Sequence, residues 1–208
     1  MSNIETDKGY AEVYQYLKYL WIIVLLFFIS IKERTLLYLP WFLLFAYFLV
    51  DDALRVHELL GKQIGEYIGI RPPFGLRQDD LGELIVSACA GLLLLPAMLA
   101  AYRSAARANR KVFHDLVLLV LLLVIFGVGV DMVHIVFSGS PRMELVLGIL
   151  EDGGEMLAVS LLLWYVFLLM MRLPYARAYL VNLFIPLSAS DQAERRTFSG
   201  QSIVAQAD

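Results

Sequence analysis

Apolar residues along this chain gather into five long runs separated by short polar breaks, at about 16–31, 35–51, 83–101, 113–137 and 145–171. Each approaches or exceeds the roughly 20 residues that a helix needs to cross a bilayer. The runs are continuous Leu, Val and Phe, without the in/out alternation of a membrane barrel. The pattern predicts an all-α fold, a polytopic transmembrane helix bundle of about five spans. The first two runs are the shortest and are parted only by Lys32-Glu33-Arg34, which predicts a tight helical hairpin. The alternative is four spans plus a re-entrant segment. Pro40 lies early in the second run, where a helix starting near Tyr38 tolerates it.

The second run continues as Asp51-Asp52-Ala-Leu-Arg55-Val-His57-Glu58, and Gly61 is its predicted terminator. Residues 62–82 make the longest connection, with an irregular turn at Arg71-Pro72-Pro73. Asp80, with Glu83 three residues later, reads as a capping box that opens the third span. Tyr14, Tyr16, Tyr19 and Trp21 are expected to form an interfacial aromatic belt. The polar stretch Met1 to Lys18 lacks a cleavage pattern, so the first run is expected to be retained. Residues 1–187 form one transmembrane domain, and the Ser/Ala/Gln-rich segment 188–208 predicts a disordered cytoplasmic tail.

Lys and Arg in short loops set the expected orientation. Arg103, Arg107, Arg110 and Lys111 sit between the third and fourth runs with no acid until Asp115, which places that loop in the cytoplasm. Arg172 and Arg177 after the fifth run agree with a cytoplasmic carboxy terminus. Lys8 and Lys18 then fall on the outer side, against the trend.

Composition narrows the class further. Of 208 residues, 60% are hydrophobic and 18% charged, at a mean hydropathy of +0.69. Soluble domains are nearer half apolar and a quarter charged. A net charge of −3, with basic residues scattered or flanking the runs, gives no case for nucleic acid. Cys89 is the single cysteine and lies in an apolar run, so there is no intrachain disulfide.

With this orientation, ionisable residues of four runs fall at one outward end. Asp131 and His134 are three apart and share a helix face. Glu151 and Glu155 are four apart and share another, with Asp152 about 100° away. Two carboxylates so placed repel unless a proton or cation lies between them. Gly153-Gly154 between them admits close approach by a helix or ligand. Asp51, Arg55 and Glu58 fall on one helical stripe as ion pairs, leaving His57 and Asp52 pointing elsewhere as ligand candidates. Ionisable groups at membrane depth are costly and usually face a partner, a cavity or a substrate.

The pattern Asp51-Asp52-x4-His57-Glu58, followed by Glu151-Asp152-x-x-Glu155, resembles a group of bacterial multi-pass membrane proteins of uncharacterised activity. The resemblance implies a helical bundle in the bacterial cytoplasmic (inner) membrane and no particular reaction. Ceramidase-like membrane hydrolases carry a paired-histidine motif absent here. Di-iron carboxylate bundles carry two Glu-x-x-His motifs, to which only Asp131-x-x-His134 comes near.

Three functions are consistent with this pattern. The foremost is a divalent-metal site for zinc, iron or manganese. Its ligands would come from His57, His134, Asp131, Glu151, Glu155 and Asp52, supported by Asp51, Arg55, Glu58 and Asp152. Glu155 and Asp131 would then be catalytic toward a lipid or another membrane-soluble substrate. The second is a proton- or cation-coupled transporter or channel with Glu155, Asp131 and Glu151 as relay. The third is a non-catalytic sensor or partner subunit, for which an oligomer is compatible.

Overall fold

The computed structural model describes residues 9–69, 76–137 and 140–171. The predicted turn at Arg71-Pro72-Pro73, the cationic exit at Arg172 and Arg177, and the tail 188–208 lie outside the described residues. Seven α-helices account for nearly all the rest: α1 Tyr10–Glu33, α2 Leu39–Leu54, α3 Val56–Ile68, α4 Gln78–Ser104, α5 Arg107–Val124, α6 Asp131–Phe137 and α7 Pro141–Met170. Five stretches are long and apolar enough to cross a membrane: Tyr10–Glu33, Leu36–Leu54, Gln78–Ser104, Asn109–Val136 and Arg142–Met170. The chain is a polytopic transmembrane helix bundle, and both members of the first pair are long and apolar enough to cross a membrane.

The hairpin between α1 and α2 closes on Arg34, which adopts a left-handed conformation (φ 47°). The N–H groups of Arg34 and Thr35 donate to the carbonyls of Ile31 and Ser30, satisfying acceptors the helix end would otherwise orphan. Thr35 Oγ1 then accepts from Leu37 N–H at 3.2 Å and starts a short 3₁₀ turn, Leu36–Tyr38, that leads into α2.

The core lies between α1, α2, α5 and α7. Ile22, Leu26, Trp41, Phe45, Leu116, Leu162 and Val166 are at most 1% exposed. Trp41 meets Phe113 edge-on with centroids 4.8 Å apart. In lipid such fit, rather than removal of apolar surface from water, holds helices together. Tyr19 belongs to this core, against Phe45 and Phe48, and not to the expected belt; Tyr14 and Trp21 do remain exposed. The middle of α4 is peripheral, with Leu93 80% exposed and thus facing lipid.

Three boundaries depart from the sequence expectation. The first is Gly61, which does not end a helix; α3 runs through it to Gly69 (φ 63°). Gly61 and Gly65 instead lie against Gly82 and Gln78 of α4, in antiparallel register. A Cβ on Gly82 would overlap the Gly61 carbonyl, so this contact is backbone on backbone. The second is Arg55, in a left-handed conformation (φ 51°), which breaks α2 from α3. That conformation costs a non-glycine residue about 1–2 kcal/mol, and it disrupts the single stripe expected for Asp51, Arg55 and Glu58. The third is the start of α4: Asp80 is not the cap but accepts from the backbone of Arg77 at 2.7 Å and from its guanidinium at 2.8 Å. Reciprocal pairing with Arg77 replaces the predicted Asp80/Glu83 box.

Between α5 and α6 the rod continues through a π-helical turn, Ile125–Val130. Such turns insert one residue, rotate the helix beyond them and are frequent at functional sites. Here the glycines make room: Gly127 lies against the Glu155 carboxylate, and the Phe126 ring lies on Gly154.

Candidate functional site: a carboxylate cleft at one end of the bundle

The floor of the site is formed by α1, α2 and α7. Gln15 is buried, and its amide donates to Glu155 Oε2 at 3.0 Å. Asp52 lies beside the same amide and within electrostatic range of Glu155. Glu155 is only partly buried and rests on the backbone of the π turn. It stands 15 residues from the last residue of α7, about 22 Å along the axis, so it lies within the span and not at its mouth.

One wall comes from the α2/α3 break and the start of α4. Asp51 is buried and accepts from the backbone N–H of His57 at 2.8 Å. His57 Nδ1 lies 3.1 Å from the other Asp51 oxygen, an ion-pair contact off the ideal hydrogen-bond direction. Asp51 beside it raises the His57 imidazole above its ordinary pKa despite partial burial, with Glu83 and Asp52 adding to the effect. Arg55 and Glu58 form a half-exposed pair at 3.7 Å on the outside.

The opposite wall comes from α6 and α7. His134 Nδ1 lies 2.8 Å from Glu151 Oε2. Asp131 lies beside this pair, within electrostatic range of Glu151 and His134 and, across the gap, of Glu83 and Asp80. Asp152 is exposed. The predicted residues therefore share one end of the bundle but divide into separate pairs. His57 goes with Asp51, His134 with Glu151, and Glu155 with Gln15. Among the described residues, no group of three or more His, Cys, Asp and Glu side chains is arranged to hold a single ion.

Sequence reasoning overlooked Gln15 and Lys18. Both are buried, and Lys18 Nζ donates to the Met156 carbonyl at 3.0 Å while sitting over the Tyr14 ring. A clue was present: Gln15, Tyr19, Ile22, Leu26 and Ile29 recur at three- and four-residue spacing, one helix face in which Lys18 also falls. The other end of the bundle holds one fully buried acid, Asp115, which accepts from Tyr165 Oη at 2.7 Å. Around the rim there, His114 and Tyr102 are 3.0 Å apart and Arg110 lies over the Tyr102 ring.

Fold and site together define a polytopic helical membrane protein with paired carboxylates and histidines at one end of its bundle. Residues 8–171 match the family described as a domain of unknown function, DUF8692, and the chain belongs to that family. No curated protein and no solved structure matches it.

Proposed function

We propose that this protein is a proton- or cation-coupled transporter of the bacterial cytoplasmic membrane, with the carboxylate end facing outward and Glu155 as its binding residue. The observation that carries this reading is the Gln15 amide set between Glu155 and Asp52. Two carboxylates flanking one neutral amide within a membrane span are a poor resting arrangement for two free charges and a good receptor for a proton or a small cation. Acids on both walls raise the local cation concentration at the mouth.

The test is flux into proteoliposomes under an imposed pH or cation gradient. Glu155→Gln should lower flux at least about ten-fold while leaving the hydrogen bond to Gln15 available. Flux unchanged in both Glu155→Gln and Asp52→Asn would overturn the reading. A divalent-metal site acting on a membrane-soluble substrate is the second reading. Its support is the His134–Glu151 pair with Asp131 alongside. Stoichiometric zinc, iron or manganese that disappears in His134→Ala would favour it over transport.

A further inference from the structure

On the outside of the bundle, away from the cleft, α1 and α7 leave a groove of about 550 Å³ between them. Its ends differ chemically. Toward the carboxylate end it is lined by Tyr14, Lys18 and Ser160; deeper along both helices it is lined by Leu25, Leu163 and Phe167. Leu25 lies seven residues beyond Lys18, and Phe167 seven beyond Ser160, so the apolar part extends about 10 Å further toward the opposite end of the bundle, where Phe167 is three residues from the end of α7. Tyr14 and Phe167 are 56% and 49% exposed, so the groove opens toward lipid.

The unusual group is Lys18. It is 3% exposed, and its ammonium has one hydrogen-bond acceptor, the Met156 carbonyl, which Ser160 Oγ also uses at 2.7 Å. The Tyr14 ring covers one side, 4.5 Å from Nζ. Among the described residues Lys18 has no carboxylate partner, although acids crowd the neighbouring floor. A buried ammonium without a counter-ion is strongly disfavoured, and in membranes such a cation usually pairs or reaches the headgroups.

We propose that this groove binds an anionic phospholipid, with its phosphate on Lys18 and one acyl chain along Leu25, Leu163 and Phe167. Charge complementarity selects the headgroup: the ammonium keeps free N–H donors, and the groove contributes no other charge. The apolar part selects a lipid over a soluble phosphate, because it opens laterally and offers Leu25, Leu163 and Phe167 to an acyl chain. The volume is of the size that lipid-like ligands occupy. The site is separate from the acid cleft and does not depend on transport.

Trp21 and Trp164 line the same groove, whereas Trp41 is 1% exposed in the core and serves as an internal baseline. The protein is reconstituted in phosphatidylcholine vesicles containing either brominated phosphatidylglycerol or brominated phosphatidylcholine, and tryptophan quenching is followed against bromolipid content. Brominated phosphatidylglycerol should quench at about five-fold lower content than brominated phosphatidylcholine. Lys18→Met should remove that preference in protein that remains monodisperse, and Lys18→Arg should keep it. Leu163→Phe, which fills the groove and leaves the charge, should weaken quenching by both lipids. Equal quenching by the two lipids in the unaltered protein, or a preference that survives Lys18→Met, overturns the proposal. Competition by soluble glycerol phosphate would assign the site to a free phosphate and overturn it equally.

Discussion

The two ends of this bundle differ in how much of their charge is closed off. At the arginine end, Asp115 is fully enclosed and held by Tyr165 Oη, inside a core of large side chains in close contact. At the carboxylate end Asp80 and Asp51 are also buried and held, by Arg77 and by the His57 backbone N–H, but Asp52, Asp131, Glu151 and Glu155 are only partly buried; Glu155 meets an amide and Glu151 a histidine. The helices there are also held differently. Side chains interdigitate around Trp41 and Phe45, whereas α3 rests on α4 through bare backbone at Gly61 and Gly82. A closed, satisfied charge fixes structure. Partly open charges can exchange partners, as the proposed uptake and release of an ion would require.

The largest effect should come from the glycine contact. Gly82→Ala places a methyl group on the Gly61 carbonyl, where no flexible side chain can give way. Overpacking of that kind should cost about 3 kcal/mol, read as a shift in unfolding by SDS or heat in detergent. Gly91→Ala on the same helix meets nothing within 4 Å and should be neutral or stabilise by up to about 1 kcal/mol. If the two variants unfold alike, backbone contact is not what holds α3 to α4.

The next effect contrasts the two acids directly. Tyr165→Phe removes a donor to a fully buried carboxylate and should destabilise by about 2 kcal/mol. Glu155→Gln keeps a polar group for Gln15 and relieves repulsion with Asp52, so its stability should stay within about 1 kcal/mol of the parent while the proposed flux falls. The reverse order, with Glu155→Gln the more damaging to folding, would make the carboxylate end a structural clamp.

The features behind these effects were unequally legible in the sequence. The spans were readable because each is a run of apolar residues long enough to cross a bilayer, and no tertiary knowledge is needed to see that. The gathering of acids at one end was readable for a related reason: an acid within such a run is conspicuous. The pairing was not. Asp131 and His134 share a helix face, yet His134 turns to Glu151, because the choice depends on how α6 packs on α7. Gly61 has the composition of a helix stop, and only the presence of Gly82 opposite makes it a contact. The left-handed Arg55 carries no glycine to announce it, and with that break the expected stripe dissolved. Gln15 and Lys18 were hidden by being counted as polar flank, although their spacing matches the buried face of α1.

The smallest effect concerns the helix break at Arg55, and it has a definite sign with pH. His57 lies outside the spans, and its pKa is raised by Asp51, then by Glu83 and Asp52, against the opposing influence of burial. A raised pKa in the folded protein means that the folded state holds the proton more tightly than the unfolded chain. The stabilisation is complete below the ordinary histidine pKa of about 6.5 and is lost as pH rises through the higher folded value. The His57 backbone N–H continues to donate to Asp51 throughout, so only the imidazole contribution disappears, and for a partly exposed pair that is under about 1 kcal/mol. Hydrogen exchange at residues 55–60, compared between the parent and His57→Gln at each pH, isolates it from the intrinsic pH dependence of exchange. Protection in the parent should exceed that of the variant at pH 5.5 and converge with it by pH 9. Excess protection that instead grew with pH would mean that His57 is held neutral, and that the wall beside Asp51 does not carry the negative potential assigned to it.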